Sequence, residues 1–254
     1  MKNIPNLFTL LNLLFGCLAI VFTLQNGITI YEDADGSTWI DIPEKIWMAS
    51  LFIGLAALVD FLDGFVARLF KAVSDMGKQL DSLADVVSFG VAPGMILYQF
   101  LRLAYASDTE ALDTPMIWLV PAFVIPCAAA WRLARFNIDS SQAYSFKGLP
   151  VPAAGLFVAS LPLIYWNINQ AWTRDLLLNK WIIYLVILVL SWLMVSRLPL
   201  MAFKFKDFSW KNNAGVYVLL LVALAAIFIL EWLAGPVIIL AYVLLSLLFK
   251  PKAT

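Results

Sequence analysis

The chain has 254 residues, of which 63% are hydrophobic and 13% charged, with 17 basic against 17 acidic side chains and no histidine. A mean hydropathy of +0.87 excludes an ordinary soluble domain. The balanced charge leaves no basic footprint for nucleic acid, and the missing histidines remove imidazole chemistry. What remains is an integral membrane protein whose chemistry must come from carboxylates, Lys, Arg, Tyr or hydroxyls.

Apolar segments of membrane-spanning length occur near residues 7–25, 46–67, 82–104, 116–136, 149–166, 180–198, 213–230 and 232–249. They predict an all-α, polytopic transmembrane helix bundle of about eight membrane-spanning helices. Lys2 followed by the first apolar stretch resembles a signal peptide, but no small-residue cleavage site precedes Gln25 and Asn26, so the segment is expected to stay as the first span. The last two segments are joined through Glu231 to Pro236, short enough for a tight hairpin, with a re-entrant or interfacial segment as the alternative.

With both termini cytoplasmic, the inner side holds Lys2, Arg68, Lys71, Lys78, Arg132, Arg135, Lys147, Arg197, Lys204, Lys206, Lys211, Lys250 and Lys252. The outer side keeps Lys45, Arg102, Arg174 and Lys180, beside the acidic loops at Glu32 to Asp35 and Asp108 to Glu110. Thirteen of seventeen basic residues inside matches the positive-inside rule and points to the cell's inner membrane. Trp39, Trp47, Trp118, Trp131, Trp172, Trp181, Trp210 and Trp232 fall near segment ends, as interfacial anchors do. The Asp33 to Asp41 stretch has its glycine too early for a calcium loop and lacks the terminal Glu, so it reads as a solvated outer loop. Cys17 and Cys127 lie in apolar stretches and read as small buried hydrophobes.

The chemistry concentrates in residues 60–85, where Asp60, Asp63, Asp81 and Asp85 interrupt an apolar chain. Helical spacing puts Asp60 and Asp63 (i,i+3) on one side of their helix and Asp81 and Asp85 (i,i+4) on one side of theirs. An ionised carboxylate at membrane depth costs about 2.5–3.5 kcal/mol on insertion scales, so four together call for bound cations. An all-oxygen donor set suits Mg²⁺, Mn²⁺ or Ca²⁺. Two such ions, roughly 4 Å apart, can clamp a phosphoryl group. Gly64 and Ala67 share the stripe of Asp60 and leave backbone free for a ligand, while Arg68 can fork onto phosphate oxygens. The bland alternative treats the aspartates as helix-end polar residues neutralised by Arg68 and Lys71.

The full pattern, Asp-x2-Asp-Gly-x2-Ala-Arg-x8-Gly-x3-Asp-x3-Asp, resembles the signature of the CDP-alcohol phosphotransferase family, with every element present in Asp60, Asp63, Gly64, Ala67, Arg68, Gly77, Asp81 and Asp85. The resemblance implies a polytopic, usually homodimeric enzyme that displaces CMP from a CDP-linked lipid or alcohol with two divalent cations, Mn²⁺ or Mg²⁺. It implies Asp60, Asp63 and Asp81 as metal ligands and Asp85 as both ligand and general base. Gly64, Ala67 and Arg68 would surround the nucleotide diphosphate, and Gly77 would allow close helix approach. On this resemblance residues 1–200 form a six-helix catalytic core, and 201–254 add a C-terminal pair of transmembrane helices.

Three further stretches resemble the phosphatidylserine synthase branch: Pro5 to Asn12, Ser88 to Pro93, and Arg132 to Asn137 with Gly148 to Ala154. They imply CDP-diacylglycerol and L-serine as substrates. Asn6, Thr9 and Asn12 are polar groups entering an apolar helix, either as interfacial caps or in contact with the nucleotide. Arg132, Arg135 and Lys147 either snorkel to lipid phosphates and mark the inner face or recognise an anionic acceptor. Ser88 shares the Asp81 and Asp85 face, as an acceptor contact or a small packing residue. Rival readings are the same chemistry with glycerol 3-phosphate or inositol phosphate, a divalent-cation transporter, and a structural scaffold. Against the transporter, the four acids cluster near one face beside Arg68 instead of lining the membrane.

Overall fold

The computed structural model describes residues 4–25, 29–32, 38–41, 45–69, 74–106, 114–139, 145–168, 170–201 and 210–249. Among them the chain is all-α apart from two short ribbons. Helix α1 (Ile4–Leu24) leads to a hairpin of β1 (Thr29–Glu32) and β2 (Thr38–Asp41), with Tyr31 opposite Trp39. Helix α2 (Ile46–Leu69) follows, then α3 (Asp75–Asp85), a π-helical segment (Val86–Val91) and α4 (Ala92–Ala106). Two 3₁₀ turns precede α5 (Val124–Ile138). Strand β3 (Ser145–Lys147), α6 (Val151–Asn167), α7 (Ala171–Leu177), α8 (Lys180–Val195), β4 (Pro199–Met201), α9 (Trp210–Leu230) and α10 (Ala234–Leu248) complete the chain.

Among the described residues four helical stretches are long and apolar enough to cross a bilayer: Pro5–Leu24, Ile46–Val66, Asp75–Ala106 and Asn213–Leu248. The pair α7 and α8, bent by 59°, makes a fifth if taken as one span. The other expected segments stop short of that length or share one stretch, for local reasons. The segment at 116–136 opens in 3₁₀ turns around Pro121 and leaves a helix of 15 residues, and α6 has only 17. The stretch Asn213–Leu248 reverses direction at Glu231, whose φ is +47°. A Cβ on Gly215, near its start, would lie 3.0 Å from Cβ of Phe249, so α9 and α10 lie antiparallel. The loop at 33–37, the segment 202–209 and Lys2, Lys71, Lys250 and Lys252 lie outside the described residues.

The π segment is the hub of the packing. Ala92 N–H bonds to Val87 O, five residues back, and Pro93 has no N–H with which to continue the α pattern. Helix α1 meets this segment so closely that a Cβ on Gly16 would sit 2.8 Å from Ser88 Cα; α6 does the same at Gly155, 3.0 Å from Phe89 Cα. Phe89, Ile96, Leu97, Phe100 and Leu101 fill the interior here, with no more than 1% exposed. Burial of this apolar surface and dense packing hold the bundle's two ends apart.

One end collects the start of α1, the end of α2, the start of α3, the end of α5, the start of α6 and the end of α8. Asn137 Nδ2 donates to Ser82 Oγ at 2.8 Å, Arg135 donates to Val195 O at 2.7 Å, and Leu149 N–H donates to Leu193 O at 2.9 Å. Gly148, at φ +82°, is pressed against carbonyls of Leu193, Met194 and Ser196, a position strained for any other residue. The opposite end is tied by Gln99 donating to Thr23 O and by hydroxyl bonds among Tyr105, Tyr184 and the Trp118 carbonyl.

Candidate active site

Helix α2 reaches its final turns with Asp60 and Asp63 facing α3. Helix α3 begins cleanly because Ser74 Oγ accepts from Gly77 N at 3.0 Å and Asp75 sits in the first turn, both favourable at a helix N-terminus. That start fixes the phase that turns Asp81 and Asp85 back toward α2. Carboxylate oxygens of Asp60, Asp63 and Asp81 can all lie within 4.8 Å of one another. Asp85 interacts electrostatically with the other three. Asp63 and Asp85 are buried, at 7% and 6% exposed.

Among the described residues none of the four aspartates is in an ion pair. Like charges this close repel strongly in a medium of low dielectric. The donor set is entirely oxygen, it converges from two helices, and among the described residues no ion pair neutralises it. It therefore fits hard divalent cations held by Asp60, Asp63, Asp81 and Asp85.

Helix α1 supplies the neutral partners. Its stripe of residues 6, 9, 12 and 16 runs along α2, α3 and the π segment. Thr9 Oγ donates to Asp63 Oδ2 at 2.9 Å, with Pro5 O 3.2 Å away as the alternative acceptor. Asn12 Nδ2 donates to Asp85 Oδ1 at 3.3 Å. Asn6 Oδ1 lies 3.2 Å from where a Cβ on Gly77 would stand, so Gly77 provides room for α1 to pass. Ser88 Oγ donates to Asn12 O at 3.0 Å and is fully buried, so its hydroxyl joins helices.

Around this cluster Gly64 faces open space, with nothing within 4 Å of a built Cβ, and Arg68 is exposed at the end of α2. Ala67 belongs to the same helix, but its side chain lies outside the described residues. Of the basic residues, Arg132 is buried at 6% exposed, within electrostatic reach of Asp85 and Tyr242, and stacks 5.8 Å from the Phe136 ring centre. Among the described residues its Nε has no hydrogen-bond partner. Arg135 is occupied by Val195 O, and Lys147 pairs with Asp139 at 2.8 Å.

The structure thus brings together the four aspartates, Thr9, Gly64 and, beside Asp85, Arg132. It places Ser88, Arg135 and Lys147 in bonds that join elements. Sequence reasoning did not find the Asp139 partner of Lys147, nor Asn137, which bonds Ser82 while its backbone O accepts from Lys78 Nζ at 2.9 Å. Asn137 finds its partners on α3, and Lys147 finds Asp139 across the turn between α5 and β3, where no helical or strand period announces the pair. The pairing of Asn12 with Asp85 was within reach, since Asn12 follows Thr9 by one turn.

A family model described as CDP-alcohol phosphatidyltransferase matches residues 2–195. The chain belongs to that family. It is 34% identical over 205 residues to a CDP-diacylglycerol--serine O-phosphatidyltransferase of Bacillus subtilis, covering 80% of this chain and 93% of the relative. A protein of the same description from Helicobacter pylori is 32% identical, covering 89% and 81%. An archaetidylserine synthase of Methanothermobacter thermautotrophicus is 30% identical over 63% and 58%. The matched region contains the whole aspartate cluster, and the chain is an integral membrane enzyme of this family.

Proposed function

We propose that the protein transfers the phosphatidyl group of CDP-diacylglycerol to the hydroxyl of L-serine, giving phosphatidylserine and CMP. The observation that carries the chemistry is the convergence of Asp60, Asp63 and Asp81 oxygens within 4.8 Å beside an open Gly64 surface. The choice of serine is supported by the named relatives and by a buried guanidinium, Arg132, next to Asp85.

In this reading Asp60, Asp63, Asp81 and Asp85 hold two divalent cations, Mn²⁺ or Mg²⁺, which when bound supply positive charge to the diphosphate and to the reacting oxygens. Gly64, Ala67, Gly77, Asn6 and Thr9 shape the space for the nucleotide, and Arg68 binds the diphosphate. Asp85 takes the proton from the serine hydroxyl. The freed oxygen forms a bond to the β-phosphorus of the lipid as the bond from that phosphorus to the bridging oxygen breaks, and CMP leaves with its negative charge facing Arg68. No covalent enzyme intermediate forms, and positioning supplies much of the rate gain. Arg132 is the acceptor-carboxylate contact, with Arg135, Lys147 and Ser88 shaping its surroundings.

The architecture proposed with this function has about eight spans, both termini and the site at the cytoplasmic side of the inner membrane, and a homodimer among membrane lipids. Residues 1–200 are the catalytic core and 201–254 an appended pair of spans. Purified protein given CDP-diacylglycerol, Mn²⁺ or Mg²⁺ and either labelled serine or glycerol 3-phosphate tests the assignment. CMP release with serine is expected; release with glycerol 3-phosphate alone overturns it.

A further inference from the structure

Asn12 is fully buried, yet among the described residues half of its amide has no partner: Nδ2 donates to Asp85 Oδ1, while Oδ1 is a buried acceptor without a hydrogen bond. Leaving such an acceptor unsatisfied costs about 1–3 kcal/mol, and each case in a native fold calls for a reason. The amide orientation supplies one. Rotated by 180°, the side chain would turn its oxygen on a carboxylate oxygen, two acceptors face to face. The donor is therefore committed to Asp85 at the expense of the other atom.

The backbone around Asn12 is held just as firmly. One turn along α1, Gly16 is the only residue type that lets the helix meet the π segment, since a Cβ there would fall 2.4 Å from Ser88 Oγ and 2.8 Å from Ser88 Cα. Ser88 Oγ donates to Asn12 O at 3.0 Å. The π segment begins immediately after Asp85, and π turns are frequent at functional sites. Helix α1 is thus clamped to the turn that follows Asp85, and the Asn12 amide reaches back to the carboxylate itself.

We infer that Asn12 is a positioning residue for the reaction, fixing one oxygen of Asp85 so that the other is presented toward the acceptor hydroxyl. Being inaccessible, Asn12 touches neither nucleotide nor acceptor and acts only through Asp85. The inference rests on Asp85 as the general base of the proposed reaction. The same logic explains why the residue is a neutral amide: a carboxylate would repel Asp85, and a leucine of similar size would leave both oxygens free to swing.

The test is a double-mutant cycle on the full-length protein with Asn12→Leu, Asp85→Asn and the pair, reading kcat, KM for each substrate and binding of labelled CDP-diacylglycerol. Asn12→Leu should lower kcat by about 30- to 100-fold, at or below the low end of what a general base itself contributes, with CDP-lipid binding within about twofold. Added to Asp85→Asn it should cost nothing more, because the carboxylate it positions is gone. An equal loss in both backgrounds, or a normal kcat, overturns the positioning role. Near-normal turnover of Asp85→Asn by itself instead removes the general-base reading. If Asn12→Leu no longer binds the CDP-lipid, the isosteric Asn12→Asp decides: a similar loss in kcat supports the inference, and wild-type turnover shows that only the shape of residue 12 matters.

Discussion

The two ends of the bundle treat charge in opposite ways. At the end formed by α4, α7 and the start of α8, the cations lie on aromatic faces, with Lys180 Nζ 4.9 Å from the Tyr105 ring centre and the Arg174 guanidinium 5.9 Å from that of Tyr165. The hydroxyls there form a chain from Tyr105 through Tyr184 to the Trp118 carbonyl. At the other end four carboxylates face one another across α2 and α3 without an ion pair among the described residues. The first arrangement is a satisfied anchor of the kind a membrane interface favours. The second is destabilising on its own and makes sense only with cations brought in from outside. The far end balances its charges internally, whereas the aspartate end leaves its carboxylates for an incoming partner.

Mutations at the aspartate end should separate activity from folding most sharply. Asp60→Asn, Asp63→Asn or Asp81→Asn should each lower kcat/KM by about 1,000-fold or more, because a lost ligand removes charge stabilisation at the reacting phosphorus. Thermal unfolding in detergent should hold steady or rise, since each change relieves repulsion. Loss of folding together with activity would place these aspartates in the framework. Next in size, Asp85→Asn should keep CDP-diacylglycerol binding and lose about 100- to 10,000-fold in turnover, as measured by CMP release. Arg132→Lys should raise KM for serine by about tenfold or more while KM for the CDP-lipid stays put, since a lysine cannot make a forked bond to a carboxylate. An equal change in both KM values would contradict an acceptor role.

The smallest effects are expected where partners are already satisfied. Lys147→Ala breaks a half-exposed pair with Asp139 and should change stability by no more than about 1 kcal/mol, with KM for serine raised far less than by Arg132→Lys. At the far end, Tyr184→Phe removes a hydroxyl that donates to Trp118 O and should destabilise by about 1 kcal/mol with kcat unchanged. A fall in kcat for Tyr184→Phe would break the division between the two ends.

The aspartate cluster was legible in the chain because helical periodicity alone aligns residues 60 and 63, and 81 and 85, on single faces. That the two faces meet depends on the cap at Ser74 and on the π segment, neither of which interrupts the hydropathy pattern. The helical class and the first two spans were equally plain, being continuous apolar runs. The segment at 116–136 was less plain, because its start winds as 3₁₀ turns around Pro121 and only Val124–Ile138 is α-helical, whereas α6 matches the apolar run at 149–166 closely. Least legible were the roles of the basic residues. Arg132, Arg135 and Lys147 look alike in sequence, and only their tertiary surroundings, Val195 O and Asp139 on one hand and an Nε unpaired among the described residues on the other, tell them apart.

The central claim, that these four carboxylates exist to hold divalent cations, is tested most directly by counting Mn²⁺ bound to the purified protein by electron paramagnetic resonance, with and without CDP-diacylglycerol. Two ions per chain are expected in the presence of the lipid, falling to one or none in Asp81→Asn. Undiminished Mn²⁺ binding in a variant with Asp60, Asp63 and Asp81 all replaced by Asn, or no binding in the wild-type protein, would contradict it.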